Sequence, residues 1–525
     1  MPRCSRISAH DSTYQVYRIV CSLKRAAEAR RAELLEFPSP ILIRVQEQHQ
    51  HLTLWKGGTE LAVARPRKQK EARMGTSEER ISRRTFLNRT ASAVAGATAG
   101  TTALSYSRIL GANDRISLGL IGVGRRGQEE LWIISQLKEK KNVEMTAVCD
   151  LWTVYRDKAS QEVEKVFGKA PRAFQAMERV LELKDIDAVV ISTPEHQHAV
   201  QLRLAVEAGK HVYIEKAMAN VLEEAKAARD AVLSRNLIVQ VGTQHRSEPY
   251  QIATRELYKT GVLGKVSKVE LVWNLYGPRW RGRAEVKQTR QEDVDWPRFL
   301  YPRPLRPFDP QIYLEYRLYR DLSSGIPDGL MCHGIDLIQW ILDDYFPKSA
   351  VAQGGVFAWH DGRENPDTFH TVLEYPKGFL VSYSCSFGND YPSFARIMGN
   401  EGTLVQVGVE GSPKWKLVER RLREERFPGL EEPVIPDLEE QRAGKYVLLP
   451  GDKEPPRDTW IDDRQLDHMT NWLDALRSGK QPAAPVQAGF AHSVACIMSD
   501  LAYRSGKKVH WDPVTETILD HPPAT

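Results

Sequence analysis

The sequence predicts an α/β chain in which a doubly wound parallel sheet precedes an α+β domain with a large, mostly antiparallel sheet. Between residues 115 and 242, short apolar strands alternate with helical stretches, which is typical of a parallel sheet covered on both faces. Beyond residue 242, strand-like segments follow one another with turn residues between them, which favours antiparallel pairing.

The individual elements follow from the spacing of apolar residues. Strands are predicted in the first region at 116–121, 143–149, 187–192, 211–215 and 237–242, with helices near 127–140, 152–167, 195–208 and 220–235. In the second region, strands are predicted at 266–274, 350–359, 369–375, 379–387, 403–408 and 508–511, with helices near 464–478 and 489–504.

Composition describes a soluble globular protein with more than one domain, since 525 residues exceed the usual size of a single domain. The net charge of +5 comes from residues 1–73, where 14 Lys/Arg face 7 Asp/Glu, so residues 74–525 sum to −2. A mildly acidic folded part argues against a nucleic-acid partner. Six scattered cysteines with no C-x-x-C pair indicate neither a disulfide framework nor a metal site.

The first 112 residues carry signals of a different kind. Residues 1–73 are basic and poorly patterned, and we expect a disordered extension or a start-site artefact. Within residues 74–112, Arg83-Arg84-Thr85-Phe86-Leu87 precedes a weakly apolar run, 91–104, as in a twin-arginine export signal. That run is too short and too rich in small residues for stable membrane insertion. Export to the periplasm or cell envelope is therefore predicted, with a basic linker as the alternative.

Three glycines follow the first predicted strand in G-x-G-x-x-G spacing. Gly122 permits a tight turn, Gly124 lets the backbone approach a pyrophosphate, and Gly127 lets helix and strand pack closely. The phosphates would lie at the positive end of the following helix. The pattern predicts a dinucleotide-binding Rossmann domain over residues 113–242, with an ordinary glycine turn as the alternative.

An acid stands where the adenosine ribose should bind. Asp150 ends the second predicted strand, 23 residues after Gly127, close to the usual interval of roughly 20. An acid there favours NAD because it repels a 2′-phosphate, while nearby Arg156 leaves NADP open.

Polar residues follow two further strands at the edge where open α/β sheets bind ligands. Thr193, Pro194 and His198 come after the third strand, and Glu215 and Lys216 after the fourth. A lysine beside a nicotinamide can hold a substrate hydroxyl and move its proton. The alternative is a solvated Glu-Lys pair at a strand end.

With these motifs, the chain resembles the glucose–fructose oxidoreductase and inositol dehydrogenase family, the Gfo/Idh/MocA group, over about residues 114–515. It is most similar to the exported, twin-arginine members. The matching motifs are Gly122-x-Gly124-x-x-Gly127, Thr193-Pro194-x-x-x-His198, Gly209-Lys210-His211-Val212-x-x-Glu215-Lys216 and Val241-Gly242-Thr243-Gln244-x-Arg246, together with residues 471–480 and those from 488 onward.

The resemblance implies a bound NAD(P), Lys216 as the catalytic lysine, and a substrate-binding and oligomerisation domain over residues 243–515 before a tail, 516–525. The implied cofactor-binding residues are Gly122, Gly124, Arg125, Gly127, Asp150, Thr193, Pro194, His198, Glu215, Lys216 and Gln244. The implied substrate-binding residues are Lys216, Arg246, Tyr316, Arg317 and His333.

The second catalytic element is predicted in residues 323–336. A helix starting near Gly329 would place His333 and Asp336 on one face, three residues apart. A histidine there can exchange the hydroxyl proton during hydride transfer, and the resemblance supports His333 in that role. The alternative is a histidine that only caps or packs.

The chain departs from the family pattern at two positions. Ala217 replaces the proline that usually follows Glu-Lys, and Gly329 replaces an aspartate often found four residues before the histidine. Asp328, one step earlier, is the candidate replacement, unless the acid is absent.

The sequence therefore predicts an exported, NAD(P)-dependent oxidoreductase acting on a carbohydrate or polyol, with a tightly bound cofactor recycled in each turnover. One alternative is a hydrolase or lyase that oxidises its glycoside only transiently. Another is a non-catalytic sugar sensor. An open sheet face in the second domain favours a homo-oligomer.

Overall fold

The computed structural model describes residues 41–44, 53–56, 59–60, 114–407, 414–419 and 463–523. The predicted export signal lies outside these residues, as does most of a Pro-rich segment around residues 421–456. The domain boundaries drawn from the sequence therefore stay predictions.

A small antiparallel sheet of three strands forms within the N-terminal extension. The sequence analysis predicted no strand in this segment. Its strands are Ile41–Arg44, Thr53–Lys56 and Thr59–Glu60.

From residue 114 onward, the first sheet has six parallel strands in the order β3-β2-β1-β4-β5-β6. This is the strand order of a doubly wound dinucleotide-binding fold. The chain adds β2 and β3 on one side of β1 and then adds β4, β5 and β6 on its other side. The strands are β1 (Ile116–Ile121), β2 (Val143–Cys149), β3 (Arg172–Phe174), β4 (Ala188–Ile191), β5 (His211–Ile214) and β6 (Val239–Val241). The helices are α1 (Arg125–Leu137), α2 (Thr153–Phe167), α3 (Met177–Leu181), α4 (Glu195–Glu207) and α5 (Leu222–Leu233).

The second sheet has nine strands in the order β13-β12-β11-β7-β10-β9-β8-β14-β15, and only β7 and β10 pair in parallel. Its strands are β7 (Val266–Asn274), β8 (Ser349–Gly355), β9 (Thr368–Tyr375), β10 (Phe379–Ser386), β11 (Phe394–Gly399), β12 (Gly402–Val407), β13 (Lys414–Glu419), β14 (Val509–Asp512) and β15 (Thr517–Leu519). The accompanying helices are α6 (Pro249–Lys259), α7 (Trp296–Leu300), α8 (Pro310–Leu314), α9 (Cys332–Leu342), α10 (Asp463–Ser478) and α11 (Val486–Ser505).

The predicted fold class is confirmed by this pair of sheets. The short edge strand β3, and β11, β13 and β15 in the second sheet, were not predicted from the sequence. The predicted strand at 350–359 is too long, since β8 ends at Gly355. None of the described helices is long and apolar enough to cross a membrane.

A long connection between β7 and α9 folds against the first domain. Trp296, Phe299, Leu300 and Leu322 form a small buried cluster of their own. Val294 forms an isolated antiparallel bridge with Trp152, which follows β2. The connection therefore lies beside the ligand-binding edge of the parallel sheet.

Candidate active site

The loop after β1 has the geometry that a phosphate-binding turn requires. Gly122 has φ +83°, and a Cβ on Gly127 would lie 2.0 Å from the Gly122 carbonyl oxygen, so neither position admits a side chain. Gly124 is different, because the nearest atom to its Cβ position is Tyr155 Cε2, 3.6 Å away. The space above Gly124 is free of protein, which is the space that a pyrophosphate would need.

Asp150 stands at the end of β2, close to this loop. Its Oδ2 accepts a hydrogen bond from the Val123 N–H at 2.8 Å, and its Oδ1 accepts from the Trp152 N–H at 2.9 Å. Burial raises the pKa of Asp150 to about 6, although both backbone hydrogen bonds oppose the rise. The carboxylate is therefore ionised at neutral pH and available to ribose hydroxyls.

A cavity of about 900 Å³ runs from the glycine loop to the ends of β4 and β5, which is large enough for a dinucleotide with part of a substrate. It brings together most of the predicted cofactor-binding residues. Those lining it are Gly122, Gly124, Arg125, Asp150, Thr193, Pro194, His198, Glu215, Lys216 and Gln244, together with the predicted substrate-binding residues Tyr316, Arg317 and His333.

Lys216 is half-buried at the end of β5, where its Nζ donates a hydrogen bond to the Gly329 carbonyl oxygen at 2.7 Å. The peptide bond to Ala217 is cis. The His198 ring lies 2.7 Å from the carbonyl oxygens of both Ala217 and Thr193, so it links the ends of β4 and β5. His198 thereby fixes the backbone that carries the lysine.

His333 lies in the first turn of α9 and reaches the same cavity. Burial, together with the positive charge of Lys216 and the neighbouring ring of His245, holds the pKa of His333 well below its usual value. The imidazole is therefore neutral at pH 7. A neutral imidazole beside a lysine can take up a proton from a hydroxyl group.

Arg126, which was not predicted from the sequence as a site residue, pairs with two buried carboxylates, those of Glu130 and Glu215. Arg126 Nη2 lies 2.6 Å from Glu130 and 2.9 Å from Glu215. Burial raises the pKa of Glu130 to about 8. Burial also raises the pKa of Glu215, but the charges of Arg126 and Lys216 outweigh it and hold that pKa below its usual value. Glu215 therefore presents a negative charge to the cavity.

The predicted roles of Asp336 and Arg246 have to be corrected. Arg246 Nε donates to Asp336 Oδ2 at 2.7 Å and Nη2 donates to Oδ1 at 2.9 Å, and both side chains are buried away from the cavity lining. His492 Nδ1 lies 3.3 Å from the same carboxylate. Asp336 thus occupies the buried side of α9 and holds Arg246, instead of assisting His333 or a substrate.

Asp328 does not replace the missing aspartate. It lies in a π-helical turn, Pro327–Met331, where its Oδ2 accepts from the Ser324 N–H at 2.8 Å, and it does not line the cavity. A Cβ on Gly329 would lie 2.7 Å from Trp280 Cζ2. The indole of Trp280 therefore fills the space that an aspartate at position 329 would need.

Several cavity residues come from the connection between β7 and α9, in which the resemblance implied only Tyr316 and Arg317. Arg317 Nε donates to Glu195 Oε1 at 2.6 Å, and Tyr313 Oη lies 3.5 Å from Asp150 Oδ1. Loops of this length are often functional, and that is the signal that could have indicated them. The connection's remaining contributions to the cavity are Arg283, Asp295, Pro297, Arg298, Phe299, Tyr301 and Leu314.

The corrected Asp336–Arg246 pair yields a stability prediction. Asp336→Asn leaves a buried guanidinium without its counter-charge, and we expect it to lower the free energy of unfolding by about 3–5 kcal/mol. Glu207→Gln, which breaks the half-exposed pair with Arg203, should cost less than about 1 kcal/mol. Urea unfolding of the three proteins measures both values, and equal losses would contradict the assignment.

The same pair predicts a loss of stability in acid. Burial raises the pKa of Asp336, but the charge of Arg246 outweighs it and lowers the folded-state pKa to about 2, below the ordinary value of 3.8. Its stabilising contribution is therefore present above about pH 4 and is lost as the pH falls toward 2.

The cavity residues fit a dinucleotide. Apart from the open space above Gly124, four buried polar atoms of cavity-lining residues have no hydrogen-bond partner within the part of the chain that the structure describes. These are Ser192 Oγ, Gln197 Oε1, Gln244 Oε1 and His333 Nδ1. Buried polar atoms normally have partners, so these are available to a bound molecule.

The fold and cavity thus define a two-domain protein with a dinucleotide-binding Rossmann domain. Residues 116–243 match the model of an oxidoreductase family with an NAD-binding Rossmann fold, and residues 298–405 match the Gfo/Idh/MocA C-terminal domain. These matches support the resemblance to the Gfo/Idh/MocA family found in the motifs, and they confirm the prediction of an NAD-binding domain.

Curated relatives in this group act on different molecules. The chain is 26% identical over 250 residues to a levoglucosan dehydrogenase of Pseudarthrobacter phenanthrenivorans, covering 43% of this chain and 56% of that protein. It is 22% identical over 350 residues to an NADP(+)-linked scyllo-inositol 2-dehydrogenase of Bacillus subtilis, covering 66% and 84%. A glycosyl hydrolase family 109 protein of Shewanella baltica is 26% identical over 189 residues, covering 35% and 39%. The chain therefore spans little more than half the length of the first relative, and less of the third.

Solved structures show the same fold. The WlbA dehydrogenase from Bordetella pertussis, in complex with NADH and UDP-GlcNAcA, superposes with a TM-score of 0.54 at 20% sequence identity. The alignment covers 76% of this chain and 99% of that one. At this identity, the likeness establishes the fold alone.

Proposed function

We propose that the protein is an NAD(P)-dependent oxidoreductase of sugars or polyols. The observation that carries the proposal is the meeting of Lys216 and His333 in one cavity with the glycine loop. A lysine and a neutral imidazole beside the nicotinamide position supply what oxidation of a carbinol needs besides the cofactor.

Each residue has a separate task in this proposal. Lys216 donates a hydrogen bond to the substrate hydroxyl in place of the Gly329 carbonyl, and His333 takes the hydroxyl proton. Glu215 balances the charge of Lys216, and His198 fixes its backbone. A bound nicotinamide would supply the hydride acceptor for the carbinol carbon. Asp150 favours NAD over NADP at the other end of the cavity.

A transient oxidation is the second candidate, and the match to a glycosyl hydrolase family 109 protein favours it. In that chemistry, oxidation of a ring hydroxyl makes the neighbouring C–H acidic, a glycosidic bond eliminates, and the hydride returns. Incubation with a panel of free sugars and of glycosides, followed by analysis of products, distinguishes the two. Released aglycone without an oxidised sugar supports the second candidate, and an oxidised sugar supports the first. A protein that binds sugars without converting any of them would instead be a sensor.

We further propose that the protein is exported to the periplasm or cell envelope and retains its cofactor. A twin-arginine substrate is exported folded, and a free nicotinamide pool is not expected outside the cytoplasm. Retention over hours implies a dissociation constant below micromolar, beyond roughly −8 kcal/mol. A retained cofactor has to return to its starting oxidation state in each cycle.

If the cofactor is retained, the purified protein contains bound NAD(H). We expect denaturation to release NAD(H), and we expect no NADH to accumulate in solution during turnover. Absorbance of the released nucleotide and of the reaction mixture measures both. An empty protein that forms free NADH in step with product would leave an ordinary dehydrogenase.

Self-association through the nine-stranded sheet completes the proposal. Val351, Val372 and Leu380 are exposed on its outer face at 42%, 37% and 46%. Apolar side chains exposed together on one sheet face favour pairing with a second copy. Light scattering of the purified chain tests it.

A further inference from the structure

The cofactor cleft is bordered by an arginine from the second domain that no motif of the sequence predicts. Arg283 lies in the connection between β7 and α9 and lines the cavity together with Gly124 and Tyr155. Its Nη2 donates to Tyr155 Oη at 3.1 Å and to Glu285 Oε1 at 3.2 Å. Cε2 of the same ring, next to the carbon that carries the hydroxyl, lies 3.6 Å from the Cβ position of Gly124. One tyrosine ring therefore contacts Arg283 through its hydroxyl and faces Gly124 through its edge.

The position of Arg283 is fixed by a buried carboxylate. Glu315 is 2% exposed, and its Oε1 accepts from the backbone N–H groups of Gly282 at 2.7 Å and Arg283 at 2.9 Å. Its Oε2 accepts from Arg281 Nη1 at 2.7 Å. Because one carboxylate holds three successive residues, the guanidinium of Arg283 is presented to the cleft without the entropy cost of ordering a free loop.

The chemistry of this placement points to an anion. A guanidinium binds phosphate oxygens with two parallel hydrogen bonds, and Nη2 is the donor in both of the Arg283 contacts described above. The glycine loop supplies backbone N–H groups for a pyrophosphate from one side. A cation one tyrosine ring away would neutralise the same group from the other side.

We propose that Arg283 is a ligand of the cofactor pyrophosphate and that it closes the cleft over the bound dinucleotide. This inference rests on the proposed function, since it takes the cavity to hold NAD(P). In this proposal, Arg283, a residue of the second domain, slows the release of the bound cofactor. The dinucleotide leaves only when the connection carrying Arg283 moves away from Tyr155.

The release rate of bound NADH tests the proposal directly. Protein loaded with NADH is mixed with excess ADP-ribose, and the loss of NADH fluorescence is followed. Losing a charge-assisted hydrogen bond with a phosphate costs about 10- to 100-fold in affinity, so we expect Arg283→Gln to release NADH faster by about that factor. Arg283→Lys keeps the charge and should lie between the two. Arg290→Gln is the matched control, because Arg290 is 65% exposed and does not line the cavity.

Each outcome has a separate meaning. If the unchanged protein binds neither NADH nor ADP-ribose, the proposed function fails together with this inference. If it binds both, and Arg283→Gln releases NADH at the rate of the Arg290 control, only the role of Arg283 is wrong. Should Arg283→Gln fail to fold, as judged by thermal unfolding, Tyr155→Phe removes only the hydroxyl that orients the guanidinium. We expect that variant to release NADH several-fold faster, and an unchanged rate would overturn the proposal.

An anionic substrate would offer Arg283 the same kind of binding partner as the cofactor pyrophosphate. Thermal unfolding in the presence of ADP-ribose or of glucuronate distinguishes the two sources. We expect Arg283→Gln to lose part of the stabilisation by ADP-ribose and to keep any stabilisation by glucuronate. Loss of the glucuronate effect alone would assign Arg283 to the substrate and overturn its role toward the cofactor.

Discussion

Replacing Lys216 with methionine should abolish turnover while dinucleotide binding stays nearly intact. Methionine keeps the length and apolar stem of the side chain but removes the donor that the substrate hydroxyl needs. The lysine Nζ contacts the Gly329 carbonyl and not the glycine loop, so the phosphates lose nothing. Initial rates, with NADH fluorescence as the binding measurement, test both halves of the prediction.

Two further variants are compared with Lys216→Met, one in the site and one as a control. His333→Ala should lower the rate by roughly 10²–10⁴, the usual effect of a positioned acid–base group. Lys184→Met is a control, because Lys184 is exposed and outside the cavity lining, and its rate should not change. If Lys216→Met converts substrate at nearly the rate of the unchanged protein, the proposed mechanism is wrong.

The second large effect is expected at the glycine loop. Gly124→Val adds two methyl groups to a Cβ position that makes only an ordinary van der Waals contact, with Tyr155 Cε2 at 3.6 Å. We expect the fold to survive and dinucleotide affinity to fall by at least roughly 10-fold, because overpacking a filled site costs about 1–3 kcal/mol. Calorimetry with NADH and a thermal unfolding curve measure the two effects.

Gly127→Ala provides the contrast. Its methyl group would lie 2.0 Å from the Gly122 carbonyl oxygen, so the loop itself has to distort. We expect lower stability together with weaker binding. Unchanged dinucleotide affinity in Gly124→Val would mean that the loop is an ordinary turn.

The parts of the site that could be predicted are local in sequence. The glycine loop, Asp150 and Lys216 each follow directly from a strand, and parallel strands end at one edge of the sheet, so strand assignment alone placed them together. The strands that were missed are short edge strands or lie late in the second sheet, where pairing with a distant partner decides the structure.

Distant contacts decide where Asp336 lies. It has the right spacing from His333 to share its role, but Arg246, 90 residues earlier, binds its carboxylate away from the cavity lining. The connection between β7 and α9 shows no helical or strand periodicity. Its aromatic and arginine residues become cavity residues only because the first domain lies against them.

The contact between Trp280 and Gly329 also restricts how this protein can evolve. Many family members are expected to carry an aspartate at the position of Gly329, yet here any side chain would collide with the indole, 2.7 Å from the Cβ position. A larger residue can therefore replace Gly329 only if a smaller residue replaces Trp280 first or at the same time. Among descendants of this sequence, the two positions should change as a pair, and a lineage that keeps the tryptophan keeps the glycine.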